Sequence, residues 1–508
     1  MTIDGDAAYQ VLLARDARFD GRLFVGVTST GVYCRPICRV RTPAQRNCRF
    51  FTTPAQCEAA SFRPCLKCRP EIAPGPGLPW TVMDASRTLA LQAAMALDAS
   101  AASGETPSVV ALAARLGVSD RHLRRIFFAE HGVTPLQYLQ TRRLLLAKQL
   151  LTDTQMPIAQ VALTSGFKSL RRFNAAFASG YRMNPTRLRR SSKARHERDD
   201  DVPALGEDEP ITVTLGYRAP HDEDALLAFV ALRAIAGVEV VDGLSIRRTL
   251  RRGALAAAAN GGAASPAGWI EARFDPAASR VRIAFAPQLS PLSAAVIAAA
   301  RRWLDLDASP TAIDAALADL PGAPGLRLPG SLDGFELAVR AVLGQQVTVA
   351  AARTIARRVV ERFGSAVATP WPDVSRVFPS PEALATAPVE RIAELGIIRS
   401  RVGAIQALAR EWPRLAPMLV AGAAPDLLVE RLRELPGIGA WTAHYIAMRA
   451  LGWPDAFPPG DVVALKAMQR LFSTSSAREA EARAEAWRPW RAYALLRLWN
   501  SLSPGAPS

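Results

Sequence analysis

The sequence predicts a multidomain, mainly α protein: a small α/β domain at the N-terminus, an all-α domain, an α+β module and an all-α C-terminal core. Three observations carry that reading. Cys34, Cys38, Cys65 and Cys68 read Cys-x3-Cys, then twenty-six residues, then Cys-x2-Cys. Two segments, 108–130 and 157–180, repeat one pattern of glycine turn and serine-capped helix. Alternation at period two is confined to 211–286, and after Leu289 the period is helical to the end.

With 508 residues the chain has room for three or four domains of about 100–200 residues each. Hydrophobic residues make up 49% of it, enough for several buried cores. No stretch approaches the roughly 20 uninterrupted apolar residues that span a bilayer. The N-terminal segment carries Asp4, Asp6, Arg15 and Asp16 in place of the apolar run of a secretory signal. All six cysteines lie within the first 68 residues, which suits a reducing cytoplasm where thiolates stay free to bind metal. The formal net charge is +16, and most of the cations are arginine. Guanidinium forks match phosphate oxygens and guanine edges two bonds at a time, so the expected partner is a polyanion, with nucleic acid favoured over a membrane surface. A membrane surface would call for an amphipathic basic helix, and none stands alone here. A nucleoid-associated monomer is expected.

The first domain, 1–78, is read from its thiols. Two short-spaced pairs closed over a long loop build a tetrahedral Zn²⁺ site; a disulfide pair or buried free thiols are the alternatives. Cys48 and Cys57 have no place in the spacing and read as unligated. Pro70, Pro74, Gly75, Pro76, Gly77 and Pro79 then form a linker that continues neither helix nor sheet.

The second domain, 80–192, holds VVALAARLGVSDRHLRRIFFAEHG and IAQVALTSGFKSLRRFNAAF. In the first, Gly117 marks a turn, Ser119 caps the next helix, and Leu123 and Phe127 face inward. In the second, Gly166, Ser169, Phe173 and Phe177 do the same. Arg121, Arg124 and Arg125, and Arg171 and Asn174, then project outward, either as the solvated face of a bundle or as recognition helices in a major groove. The pair resembles the AraC/XylS-type DNA-binding domain, with LQYLQTRRLLLAKQLL as its long linker helix. A charged linker, 193–209, closes this half. The zinc segment, DGRLFVGVTSTGVYCRPICRVR and SFRPCLKCRP, resembles the zinc domain of Ada-type DNA methylphosphotriester repair proteins. That resemblance implies one Zn²⁺ on Cys34, Cys38, Cys65 and Cys68, with Cys34 accepting a methyl group. Four thiolates on Zn²⁺ carry about −2, so methylation removes a charge that repels DNA, a switch acting on the adjacent helices.

Residues 210–310 contain the strand runs ITVTLGY, VEVVDGLSIRRTL, WIEARFD and RVRIAFA and the helix LLAFVALRAIAG, an α+β module. In the last domain, 311–508, ELPGIGAWTAHYIAMRALG precedes AFPPGDVVALK. Gly437 and Gly439 let backbone N–H groups approach a DNA phosphate at the start of a helix. Asp461 follows Gly439 by twenty-two residues and suits a helix cap, a catalytic carboxylate, or both. Trp441 and Tyr445 stand one turn apart and Trp499 follows near the end; these rings either pack or line a pocket for an electron-poor base.

This domain resembles the helix–hairpin–helix glycosylase superfamily. With LRLPGSLDGFELAVRAVLGQQVTVAAA it closely resembles DNA-3-methyladenine glycosylase II of the AlkA type. The resemblance implies that Asp461 is catalytic, that Trp441, Tyr445 and Trp499 line the base pocket, and that Gln346 enters the gap left by the extruded base. Strand-cutting relatives have lysine where this chain has Trp441, and the cysteines of iron–sulfur relatives are missing, so a monofunctional enzyme using water is implied. Gln346 and Val462 replace an apolar wedge and an aromatic residue, departures that bear on lesion choice. A monovalent cation at the hairpin is a further family feature.

The expected fold is therefore a zinc-bound α/β domain, a double helix-turn-helix domain, an α+β module and an all-α helix–hairpin–helix glycosylase core. The expected function is excision of alkylated purines from double-stranded DNA, combined with methyl acceptance from phosphotriesters and transcriptional regulation. The alternative is a regulator whose glycosylase half binds lesions without cutting. With no cysteine beyond Cys68, an alkylguanine methyltransferase of the Pro-Cys-His-Arg type is excluded.

Overall fold

The computed structural model describes residues 4–75, 85–103, 107–196, 209–255, 267–419, 423–474 and 476–502. Most of the charged linker (197–208), with Pro76, Gly77 and Pro79 of the proline-rich run, lies outside the described residues. The chain divides into two bodies. One comprises Met1–Ala219, Ala277–Ala298 and Leu306–Ala308; the other comprises Pro220–Pro276, Ala299–Asp305 and Ser309–Ser508.

In the first body, Phe24–Val27, Val32–Cys34, Cys48–Phe51 and Arg63–Pro64 form a four-stranded sheet in the order third, first, second, fourth. Gly26 is needed in its first strand, because a Cβ there would lie 2.8 Å from the Phe62 ring and 2.9 Å from the Phe51 ring. Parallel pairing of Val32 with Arg63 and Tyr33 with Pro64 places the Cys65 N–H 2.9 Å from the Tyr33 carbonyl. The two thiol pairs are thereby brought to one end of the sheet.

The helical segment obeys its local signals. Helices Val109–Arg115 and Asp120–His131 flank Gly117, and Ser119 accepts from the His122 N–H. Helices Ile158–Thr164 and Leu170–Tyr181 flank Gly166, and Ser169 accepts from the Arg172 N–H. Leu123, Phe127, Phe173 and Phe177 are fully buried, as their i, i+4 spacing predicts. Between the units runs Pro135–Asp153, started by a Thr134–Gln137 capping box.

Buried charge ties this long helix to the metal segment. Lys148 pairs with Glu71; Arg69 bonds Glu71 at 2.9 Å and Asp153 at 2.6 Å; the other Asp153 oxygen accepts the Thr214 N–H at 3.1 Å. Burial alone would raise the Glu71 carboxyl, but Lys148 and Arg69 outweigh it and hold it below the usual range. Removing one partner would leave a buried charge uncompensated, at a cost of about 3–5 kcal/mol. Thr214 lies in Ile211–Gly216, which pairs antiparallel with Arg280–Phe285.

In the second body, helix Glu223–Arg233 precedes an antiparallel meander of Glu239–Asp242, Ser245–Arg251 and Ala267–Asp275. The run VEVVDGLSIRRTL is thus two strands joined by the two-residue loop Gly243-Leu244, with glycine in its first position at φ 53°. Helix Gly334–Leu343 is apolar on almost every side and sits in the core, with Phe335, Ala338, Val339 and Val342 fully buried. Its one acidic residue, Glu336, is compensated by Arg248 at 2.6 Å and Arg340 at 2.8 Å. The expectation of no strands beyond Leu289 needs one correction: Ser365–Ala366 and Arg376–Val377 pair antiparallel. A two-residue ladder is too short to leave a period in the sequence. Among the described residues no helix is long and apolar enough to cross a membrane.

Glu58 yields a test of this packing. Its carboxylate accepts from the hydroxyls of Thr141 at 2.8 Å and Tyr33 at 3.3 Å, yet burial pushes its pKa up to about 8 from the ordinary 4.5. The fold therefore favours the protonated form, and this stability is lost as pH rises from 4.5 through about 8. Glu58→Gln should remove a slope of up to about 1.4 kcal/mol per pH unit. Thermal unfolding between pH 5 and pH 8 should show the variant gaining on the parent as pH rises; parallel curves would contradict the assignment.

Candidate active site and metal centre

The sulfur atoms of Cys34, Cys38, Cys65 and Cys68 all lie within 4.8 Å of one another. Thiolates at about 2.3 Å from a tetrahedral Zn²⁺ are about 3.8 Å apart, so the cluster fits that ion. No two of these cysteines are joined as a disulfide. Backbone N–H groups point at the sulfurs: Arg35 to Cys68 at 3.3 Å and Lys67 to Cys65 at 3.3 Å. The Arg35 side chain pairs with buried Asp20 and donates to the Cys68 carbonyl at 3.1 Å. These are the contacts that orient ligands around a metal, and spacing alone did not reveal them. Cys48 and Cys57 lie outside the cluster; Cys57 is buried against Phe24, Tyr33 and Phe62.

Arg121, Arg124 and Arg125 are exposed on helix Asp120–His131, as are Arg171 and Asn174 on helix Leu170–Tyr181. Arg172 and Lys168 are exposed beside the latter pair and were not singled out from the sequence. Their flanking of Arg171 and of the Ser169 cap was the available signal.

In the second body, helix Pro425–Arg433 leads into the hairpin and helix Ala440–Leu451 leaves it. Gly437 has φ 77°, left-handed, and a Cβ there would meet the Ala404 side chain at 2.9 Å. Gly439 caps the outgoing helix with no side-chain acceptor, and the space where its Cβ would be is open. The first N–H groups of that helix therefore find no side-chain cap at Gly439.

Asp461 follows left-handed Gly460 and caps helix Val462–Phe472, its Oδ1 accepting the Ala464 N–H at 2.8 Å. The residue is only 6% exposed. Two indole N–H groups also converge on it: Trp441 donates to Oδ2 at 2.8 Å and Trp499 to Oδ1 at 3.1 Å. Trp441 stacks on Tyr445 with centroids 5.1 Å apart and planes 9° from parallel; Tyr445 and Trp499 are 6.4 Å apart. The structure thus brings Asp461 and all three predicted rings together. Val462, next to Asp461, is 62% exposed.

Arginines surround Tyr445. Arg449 donates to its hydroxyl at 3.0 Å and is itself held by the Pro329 and Gly330 carbonyls at 2.8 and 3.0 Å. Burial would raise the Tyr445 phenol, but Arg449 and Arg233 more than offset it, so the pKa falls below its ordinary value. Gln346 is exposed in the turn between helices Gly334–Leu343 and Val349–Phe363, with φ 54°. A left-handed non-glycine residue costs roughly 1–2 kcal/mol. Arg233 and Arg449 carry no motif of their own and were missed in the sequence.

Comparison with known proteins agrees with this architecture. The metal binding domain of Ada matches residues 7–71, a helix-turn-helix domain 112–191, the AlkA N-terminal domain 212–333, and the HhH-GPD superfamily base excision DNA repair protein 339–492. A probable bifunctional transcriptional activator/DNA repair enzyme AlkA of Mycobacterium tuberculosis is 36% identical over 98% of this chain and 97% of its own length. DNA-3-methyladenine glycosylase 2 of Escherichia coli is 34% identical over 56% of this chain and 96% of its own. Bifunctional transcriptional activator/DNA repair enzyme AdaA of Bacillus subtilis is 28% identical over 37% of this chain and 84% of its own. The four-cysteine cluster is accordingly a Zn²⁺ site. The chain belongs to the family in which an Ada-type zinc domain and an AraC-type helix-turn-helix domain are fused to an AlkA-type helix–hairpin–helix DNA glycosylase.

Proposed function

We propose that the C-terminal half hydrolyses the N-glycosidic bond of alkylated purines, of the 3-methyladenine and 7-methylguanine type, with Asp461 as the catalytic carboxylate. The observation that carries this is the convergence of the Trp441 and Trp499 indoles on Asp461, each 2.8–3.1 Å from a carboxylate oxygen. A carboxylate offers about four acceptor sites, and the Ala464 N–H and the two indoles account for three. The remaining one is free to orient water. An alkylated purine is a cation, so it leaves neutral when the bond to C1′ breaks, and positive charge develops on the sugar. A carboxylate about 4 Å away stabilises that charge by roughly 4 kcal/mol at an effective dielectric of 20, near three powers of ten in rate. Water then bonds to C1′ and passes a proton to the Asp461 carboxylate, which returns it to solvent. The electron-rich rings of Tyr445, Trp441 and Trp499 favour an electron-poor base beside them.

Around this centre, Gln346 enters the space of the extruded nucleotide, and the N–H groups following Gly437 and Gly439 hold a phosphate, with a monovalent cation as the family's optional hairpin ligand. In the first half, Arg121, Arg124, Arg125, Arg171 and Asn174 read or grip DNA, and Cys34 is the methyl acceptor. A Zn²⁺ held by Cys34, Cys38, Cys65 and Cys68 would keep the Cys34 sulfur deprotonated at neutral pH; the Cys34 thiolate attacks the methyl carbon of a phosphotriester, the S–C bond forms, the C–O bond breaks, and the phosphodiester leaves with the negative charge. The four-cysteine site would then be one charge less negative beside a polyanion, which supports regulation through the neighbouring helices. Domain limits of 1–78, 80–192, 210–310 and 311–508, a monomer and a cytoplasmic location complete the reading.

Asp461→Asn should abolish at least about 99% of methylpurine release; the variant keeps the Ala464 cap but turns an amide N–H₂ toward the Trp441 indole, so it should remain folded with a stability loss of about 1–3 kcal/mol. Undiminished release from alkylated DNA would reject the assignment. Borohydride added during turnover should trap no protein–DNA adduct, since no lysine occupies position 441; a trapped adduct would replace water by an amine nucleophile. After incubation with methylated DNA, mass spectrometry should find one methyl on Cys34, and removal of zinc by a chelator should prevent it. A protein unmodified at Cys34 would leave the zinc purely structural.

A further inference from the structure

Gln346 is an exposed residue held in a conformation that side chains rarely adopt, with φ 54°. Such strain persists only where surroundings over-determine it, and here the surroundings act through the preceding residue. The Gln345 side-chain amide donates to the Gly437 carbonyl at 2.9 Å and to the Thr442 hydroxyl at 3.1 Å. The main-chain carbonyl of Gln345 accepts from the Arg401 guanidinium. Gly437 is in the hairpin, and Thr442 is buried beside Trp441 on the outgoing helix. Arg401 belongs to helix Arg399–Leu415, whose Ala404 closes on Gly437. Three elements distant in sequence therefore meet at one residue, two at its side-chain amide and one at its main-chain carbonyl, next to the strained turn.

We propose that Gln345 is a positioning residue for base extrusion. Its amide locks the Gln346 turn to the hairpin, so that insertion into the duplex and the grip on the phosphate act as one rigid unit. This rests on the reading of Gln346 as the inserted side chain. Pushing a side chain into stacked bases loads the turn, and an untethered turn would relax out of its left-handed state. With both N–H donors of Gln345 engaged, the load passes to the hairpin and to the helix that carries Trp441 and Tyr445. The effect concerns opening of the duplex, not the chemistry at Asp461, which gives the proposal a distinctive signature.

The test uses the full-length zinc-loaded protein with Gln345→Glu, which keeps the shape and loses both donors. Thr442→Val, which removes one acceptor, covers the case in which the first variant is unstable. Single-turnover release of 7-methylguanine is compared between a paired duplex and the same lesion in a bulge with no opposing base, while 2-aminopurine beside the lesion reports unstacking. Gln345→Glu should lose about 10- to 100-fold on the paired duplex, with a matching loss of the unstacking signal. It should stay within about threefold on the bulge, where no pairing is broken. Thr442→Val should show a smaller loss with the same bias. Equal losses on both substrates, or none on the duplex, would overturn the proposal. Gln346→Ala separates the two readings. If it opens the duplex normally, the insertion reading fails; if it is defective while Gln345→Glu is not, only the role of Gln345 fails.

Discussion

Three N–H donors on the two oxygens of Asp461 form the constraint around which the second body is arranged. The Ala464 N–H comes from the helix that Asp461 starts, the Trp441 indole from the helix leaving the hairpin, and the Trp499 indole from the last long helix. One carboxylate thus joins three helices and fixes two of the rings that stand against Tyr445. Capping and catalysis are not rival explanations of this residue. A cap needs a hydrogen-bond acceptor at a helix start, and the proposed chemistry needs a fixed negative charge; one carboxylate supplies both.

The first body is governed by a different constraint, the compensation of charge out of water. Arg69, next to the last zinc ligand, engages Glu71 and Asp153, and Glu71 also takes Lys148. Arg35, next to the first ligand, is bound to Asp20. Both ends of the cysteine cluster are therefore continuous with ion pairs that fail if one partner is lost. A change of charge at the zinc would be felt by groups already bonded to the long helix between the two helix-turn-helix units.

Much of this was legible in the sequence because its signals are local. Glycine at 117 and 166, serine at 119 and 169, and the i, i+4 phenylalanines lie within one turn of what they determine. The cysteine spacing and the Leu-Pro-Gly-x-Gly hairpin are similarly short-range, and the strand runs alternate because one face is buried. What stayed hidden depends on separation. The bonds of Gln345 span 92 and 97 residues, and nothing in Gly-Gln-Gln-Val predicts them. Arg449 and Arg233 approach Tyr445 through packing, not through any spacing. The pairing of Ile211–Gly216 with Arg280–Phe285, both within the first body, is another long-range choice that no local pattern encodes.

The central claim is that a fixed negative charge waits where positive charge develops on the sugar. Equilibrium binding of duplexes carrying two abasic analogues tests it most directly: a cationic pyrrolidine ring and a neutral tetrahydrofuran ring of the same shape. An enzyme complementary to the charged transition state should bind the pyrrolidine duplex at least about 100-fold more tightly at neutral pH. Equal affinity for the two duplexes would contradict the account.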